Sequence, residues 1–501
     1  MKIKNVIIVG GGSAGWLTAL NMLTHKPQYR YFLVQPKDNN PIGVGESTQP
    51  NFYELLKKSP YINFDEFLKE TDATFKCGIY YNDWNKIGDE FWHPFTGMAY
   101  ENDVTLAHYY QYLIHKDPLN FKHKDYYKNV HSSYSTCVEK NSIDTNSAKA
   151  LHVDAHKLSI YLQKKLTDIT VVEADDIKVA FDDETNTIEG IICDGKEISA
   201  DLYIDCTGFS RFLISTISDC ELKEYHENVD SAFFAKVEYE DPQTECVPYT
   251  QATAHPHGWY WKIPLMSRMG VGCVYTQNSV TTEECKKQFI DYWDGRINPK
   301  DIRHVAFESG VLKSPWVNNC VTAGLSCGFV EPLEATSIAW TLFSSEVLIE
   351  VLESDYYDQY TAEMYNGIIL KYVDDICDFV DVHYKLSDRK DSAMWEYHTT
   401  RPHSERLETK LEVYKKYFPN SENRNRKNPW AFNEVSWIDI LNGYDFKYDD
   451  SAFLPFKNMP SNLLKYLDKE LHRTIHYSND DNYDYINNYD YMKNFYDNNS
   501  Q

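Results

Sequence analysis

Short apolar runs separated by polar turns fill the first two hundred residues. Asn5 to Val9 is a β-branched run that ends in Gly10-Gly-Gly-Ser-Ala-Gly15, and helical spacing follows from Trp16 to Leu23. Tyr31 to Val34 is a second apolar run, which completes a strand–helix–strand unit of about thirty residues. Ala155 to Leu162 is again helical, while Ile188 to Ile192 and Leu202 to Ile204 read as strands. The pattern predicts a discontinuous α/β module over 1–345. Strand signals then fade and helical spacing takes over, as in Val347 to Leu352 and Ile368 to Val373, predicting a helical subdomain over 346–475. Residues 476–501 are rich in Asn, Asp and Tyr and poor in aliphatic side chains, so a flexible or loosely docked tail is expected there.

Composition narrows the partners. A chain of 501 residues exceeds what a single small core needs, and its net charge of −25 opposes binding to nucleic acid or to an anionic membrane. Eleven scattered cysteines, with no C-x-x-C pair and no zinc spacing, give no support to a disulfide framework or a metal site. A reducing cytoplasm is the expected compartment, and no apolar run reaches membrane-spanning length. Composition leaves a homo-oligomer open.

Candidate chemistry begins at the glycine turn. Gly10, Gly12 and Gly15, with Ser13 and Ala14 opening the helix, fit the dinucleotide fingerprint, in which a pyrophosphate rests on a helix N-terminus. A purely structural strand-to-helix turn would also use glycines. The acidic residue expected at the end of the second strand for the ribose hydroxyls is Gln35, which can hydrogen-bond but carries no charge. Gly43-Val-Gly-Glu-Ser-Thr48 reads on its own as a capped turn in which Ser47 or Thr48 starts the next helix. Asp205 and Gly208, at the end of a late strand, are either cofactor-binding or a helix cap. Trp259 and Trp261 share one side of an extended segment that Ile263 and Pro264 stiffen, forming a bulky wall or simply filling a core.

Taken together, the W-x-W-x-I-P run, the G-V-G-E-S-T element and Pro332-Leu-Glu-Ala-Thr336 resemble flavin-dependent halogenases of the tryptophan halogenase type, with matches from residue 5 to about residue 400. The resemblance implies a Rossmann-like FAD-binding module of the flavin monooxygenase type with an added, mainly helical C-terminal subdomain. It implies FAD held by Gly10, Gly12, Ser13, Ala14, Gly15, Gln35, Gly43, Val44, Gly45, Glu46, Ser47, Thr48, Asp205, Gly208 and Leu325. Lys76, in Phe75-Lys-Cys-Gly78, takes the place of the catalytic lysine, and Glu334 that of its carboxylate partner. A desolvated lysine can deliver electrophilic halogen from hypohalous acid to one carbon of an arene, although an arbitrary lysine more often snorkels at a surface. The amides at Thr336 and Ser337 correspond to a halide site, and a capped helix start would use the same groups. His93, Pro94 and Phe95 correspond to the aromatic substrate pocket, where a structural histidine is the alternative. The implied reaction uses reduced FAD, O2 and chloride, bromide or iodide, with a separate flavin reductase as partner and an electron-rich aromatic such as an indole or tryptophan as substrate. A flavin-dependent aromatic monooxygenase and a non-catalytic flavin-binding protein are the rival classes.

Overall fold

The computed structural model describes residues 2–38, 45–95, 100–101, 104–131, 137–143, 150–420, 431–478 and 486–498. Strand β1 (Asn5–Val9) lies inside a six-stranded sheet and is flanked by β2 (Arg30–Pro36) and Leu202–Asp205, both parallel to it. Ile169–Ala174 and Cys320–Thr322 extend the parallel sheet, and Trp316–Val317 pairs antiparallel at one edge. Covered on both faces, β1 has no exposed area on Val6, Ile7 or Ile8, which is why its sequence runs apolar without alternation. Helix α1 (Ser13–His25) is buried almost all round, because it packs on this sheet and on the helix Thr336–Val351. Asn21, caught between the two helices, donates to Ser345 Oγ at 2.7 Å.

A second, seven-stranded sheet carries the tryptophan segment. Its order is Arg303–Ala306, Ser231–Val237, Met269–Tyr275, Gly258–Pro264, Thr250–His255, β5 (Gly78–Asn82) and β6 (Glu90–Pro94). A three-stranded sheet places Ala150–Asp154 between β3 (Gly45–Ser47) and β4 (Thr74–Lys76), and helix α2 (Pro50–Lys58) follows β3. The α/β body with a mainly helical C-terminal region is thus the expected architecture.

The C-terminal helices Gln359–Lys385, Ala393–Thr400 and Glu434–Gly443 share one continuous core with the first sheet. Trp84, Trp395 and Trp437 are fully buried in the same cluster as Val6 and Trp16. The stretch expected to be a flexible or loosely docked tail is in part docked. Residues Asn488–Asn498 form a helix in which Met492 is fully buried and Tyr496 donates to the Leu68 carbonyl at 2.6 Å. Composition hid this: Tyr491, Met492, Phe495 and Tyr496 recur at helical spacing, so a polar segment still presents one apolar stripe. No described helix is long and apolar enough to cross a membrane.

Candidate active site

The glycine turn is shaped by contact as well as by torsion. A Cβ on Gly10, whose φ is 117°, would lie 2.3 Å from the Cys206 carbonyl oxygen, and one on Gly15 would lie 1.9 Å from the Gly10 carbonyl oxygen. A Cβ on Gly12 would meet nothing within 4 Å, because Gly12 borders a cavity of about 940 Å³. Gly10, Ser13, Ala14, Gly208 and Leu325 line the same cavity, as do Gly45, Glu46 and Ser47 of β3. Two helices begin at its wall without a capping side chain: α1 after Gly12, and Thr336–Val351 after Ala335. Several helices elsewhere start on capping residues, among them Thr281, Asp358 and Ser404. Free N–H groups at both ends suit anionic ligands, and the size and cradle fit a dinucleotide such as FAD.

Other residues expected to touch the cofactor sit differently. Gln35 is buried and donates to Glu173 Oε1 at 3.0 Å, so the acidic group near the end of β2 comes from the adjacent strand. Asp205 has both oxygens engaged by protein, accepting from Thr207, Leu213, Ile214 and Ser326, which is the work of a turn-former and cap. Thr48 turns inward, its hydroxyl on the Leu151 carbonyl at 2.7 Å. Gly43 and Val44 lie outside the described residues.

Strand Gly258–Pro264 is extended, so Trp259 and Trp261 project to one side, with ring centroids 6.1 Å apart, and both line the cavity together with Ile263. Room for the second indole comes from Gly272, its cross-strand neighbour: a Cβ there would lie 1.9 Å from Trp261 Cζ2. Trp259 is fixed by chemistry too. Its Nε1 donates to Glu331 Oε1 at 3.3 Å, Tyr384 donates to the same oxygen at 2.9 Å, and Asn228 donates to Oε2 at 3.3 Å. Burial pushes the Glu331 carboxyl up to about 7, because these neutral donors offset desolvation only in part.

Lys76, at the end of β4, is fully buried. Its Nζ donates to the Thr48 carbonyl at 2.9 Å and stands 4.4 Å from the centre of the Phe95 ring, a cation–π contact. Burial brings its ammonium down to about 7, and the charge of Glu334 opposes that shift. Glu334 lies at the cavity edge in a left-handed backbone conformation, φ 66°, followed by Ala335 at φ 55°. Such a pair is strained for residues with a Cβ, and Gln49 holds it by donating to the Glu334 carbonyl at 2.7 Å. The carboxylate is clamped from three sides. His93 Nδ1 lies 2.6 Å from Oε2, while Oε1 accepts from the Tyr81 hydroxyl and faces His383 Nε2 at 3.4 Å. Burial alone would raise this carboxyl; the two imidazoles outweigh it and hold the group well below the usual carboxylate range.

The structure therefore brings Lys76, Phe95, His93 and Glu334 into one neighbourhood and puts Ser337 on the cavity wall, with Thr336 buried behind it. Pro94 is buried at the end of β6, paired with Gly78. Sequence reading missed Tyr81, His383, Glu331, Gln49 and Gly272. Strand alternation in β5 was a usable signal for Tyr81, which shares the inward face with Ile79; the others depend on partners distant in the chain.

A parallel sheet with a glycine cradle, two free helix N-termini and a dinucleotide-sized cavity defines a dinucleotide-binding α/β protein. The chain belongs to the tryptophan halogenase family, whose model matches residues 5–453. It is 27% identical over 446 residues to the tryptophan 7-halogenase RebH of Lentzea aerocolonigenes, covering 83% of this chain and 82% of that one. Against the tryptophan 6-halogenase ThaL of Streptomyces albogriseolus it is 27% identical over 440 residues, covering 83% of each. Among solved structures, Tar14, a tryptophan C-6 flavin-dependent halogenase from taromycin biosynthesis, superposes with a TM-score of 0.85 at 25% identity over 98% of this chain and 99% of that one. BrvH, a flavin-dependent halogenase from Brevundimonas sp. BAL3, gives 0.83 at 25% identity over 98% and 99%. Membership makes this chain a flavin-dependent halogenase, an enzyme with FAD as its cofactor.

Proposed function

We propose that the chain halogenates an electron-rich arene, an indole, tryptophan or related ring, with Lys76 delivering the halogen and Glu334 providing the negative charge beside it. Bound in the cavity and reduced by a separate flavin reductase, FAD would supply two electrons to O2, so that one oxygen atom leaves as water and the other oxidises halide to hypohalous acid. The glycine turn and the α1 N-terminus would hold its pyrophosphate, and Gly45 to Ser47 would lie along it. Backbone amides at Thr336 and Ser337, on an uncapped helix start, would bind the halide.

One observation carries this reading: a fully buried lysine, poised near neutrality, stands beside a half-buried aromatic ring and in the field of an ionised glutamate. As a neutral amine it can take up electrophilic halogen, and as an ammonium it can hydrogen-bond hypohalous acid; both forms are populated near pH 7. Trp259 and Trp261, lining the cavity, would keep the arene from the flavin and direct the oxidant to Lys76. Glu334 would stabilise the cationic ring that follows attack.

The test supplies FAD, a flavin reductase, NADH and each halide in turn to a panel of indoles, phenols and tryptophan, with products read by mass spectrometry. A halogenated arene whose halogen follows the halide added is expected. A hydroxylated arene formed without halide would instead establish a flavin-dependent monooxygenase.

A further inference from the structure

Beside the tryptophan wall, four side chains form a line of hydrogen bonds that ends at the cavity. Strand Ala150–Asp154 runs between β3 and β4, and its register sets His152 opposite Ser47 on one side and Thr74 on the other. His152 and Thr74 are fully buried. The Thr74 hydroxyl donates its one hydrogen to the Pro264 carbonyl at 2.7 Å, so its oxygen accepts from His152 Nδ1, 3.1 Å away. Burial, reinforced by the charge of Lys76, holds this imidazole well below its ordinary range, and a neutral ring with its hydrogen on Nδ1 keeps a lone pair on Nε2. Thr250 Oγ1 lies 2.9 Å from Nε2 and donates to that lone pair. The Thr250 oxygen is then left to accept, and it does so from the Ser47 hydroxyl at 2.7 Å. Each hydroxyl has one hydrogen, so every direction along the line is fixed from its buried end.

Ser47 is where this order meets a ligand. Ser47 and Thr250 both line the cavity, and they do so beside the tryptophan wall: Ala252, two residues from Thr250, pairs with Trp261, and a Cβ on Gly45 would lie 3.2 Å from Ile263 Cγ2. With its hydrogen committed to Thr250, the Ser47 oxygen offers only lone pairs to the cavity. It can take a donor and repels an acceptor. The isoalloxazine ring of FAD changes in this respect with its redox state, because two-electron reduction puts a hydrogen on the ring nitrogen N5, which offers a lone pair when oxidised. We propose that Ser47 accepts from the N5–H of reduced FAD, so that the site holds reduced FAD more tightly than oxidised FAD, with Thr250 and His152 as the positioning residues that fix its hydroxyl; this rests on the reading that sets the flavin against the tryptophan wall. An enzyme served by a separate reductase gains from such a bias: reduced cofactor is captured, and oxidised cofactor is let go to be reduced again.

The test reads redox state and not turnover. With full-length protein, the midpoint potential of bound FAD is measured anaerobically against a reference dye, and affinity for oxidised FAD by titration. Ser47→Ala should lower the preference for reduced over oxidised FAD about tenfold, as loss of one hydrogen bond does, which for a two-electron couple is a fall of about 30 mV in midpoint potential. Thr250→Val is nearly isosteric and frees the Ser47 hydrogen for the oxidised ring, so it should lower the potential in the same direction while oxidised FAD binds at least as tightly as before. Thr250→Ser keeps the hydroxyl and should keep the wild-type potential. Equal loss of affinity in both redox states, or a Thr250→Ser potential as low as that of Thr250→Val, would overturn the proposal and leave the line of hydrogen bonds a packing device. The assay contains neither halide nor arene, so its failure is distinguishable from a failure to halogenate.

Discussion

Glu331 and Glu334 stand three residues apart in one segment, and both are buried to within 2% of full enclosure, yet they titrate in opposite directions. Glu331 is met by a tyrosine hydroxyl, an indole and a carboxamide, none of which can carry a compensating charge, and burial lifts it to about 7. Glu334 is met by two imidazoles and a tyrosine and is driven down. Burial alone therefore does not set the state of a carboxyl; the capacity of its partners to hold positive charge does. The consequence is a division of labour. Glu334 is kept as an anion beside Lys76, and Glu331 braces Trp259 against Tyr384.

The largest effect should come from Lys76, which feels Glu334 and not Glu331. Lys76→Ala is expected to lower arene halogenation by on the order of 10³-fold while the protein still binds FAD, checked by product assay and by flavin absorbance. Halogenation near the wild-type level would detach the lysine from the chemistry. Removal of each carboxyl should separate the pair next. Glu334→Leu takes away the carboxylate that His93, His383 and Tyr81 all face and should cost about 3–5 kcal/mol, whereas Glu331→Leu leaves neutral donors unpaired and should cost about 1–3 kcal/mol. Urea unfolding of both variants in one buffer reads the order, and a reversed order would mean that the partners have been misjudged.

Proton linkage gives a smaller, signed effect. Glu331 has a folded value raised to about 7 above its ordinary 4.5, so its contribution is fully present below pH 4.5 and is lost as pH rises through 7. Glu331→Gln should flatten that decline, gaining up to roughly 3 kcal/mol on wild type above pH 7 and little below pH 4.5. Denaturation curves between pH 4 and 8 check it; parallel profiles would show Glu331 already ionised at no cost. The smallest effect belongs to Trp259→Phe, which keeps an aromatic wall but deletes the donor to Glu331. A loss of about 1 kcal/mol is expected, without a change in halogenated product.

How far sequence could see into this site follows from where each partner lies. The strand–turn–helix of residues 5–25 and the extended tryptophan segment were legible, because each is encoded within a few adjacent positions, whereas Lys76 and Glu334 were singled out only through the resemblance. The clamps were not. His93 and His383 reach Glu334 from 241 and 49 positions away, Glu331 meets Trp259 across 72, and no local pattern records such distances. Gln35 likewise has its partner on a neighbouring strand, Glu173, which local pattern does not record. Gly272 was legible only through the register that sets it opposite Trp261.

The division between the two glutamates is tested most directly by following where the oxidant goes. In the reconstituted reaction, reducing equivalents can be partitioned among halogenated arene, hypohalous acid caught by an added trap, and hydrogen peroxide. Glu334→Gln should lose arene product and gain trapped hypohalous acid, with peroxide little altered, because the oxidant forms but is poorly used. Glu331→Leu should raise peroxide at the expense of both, because the wall that Glu331 braces no longer shields the flavin. The same partition in both variants would contradict the assignment of chemistry to one carboxylate and of the wall to the other.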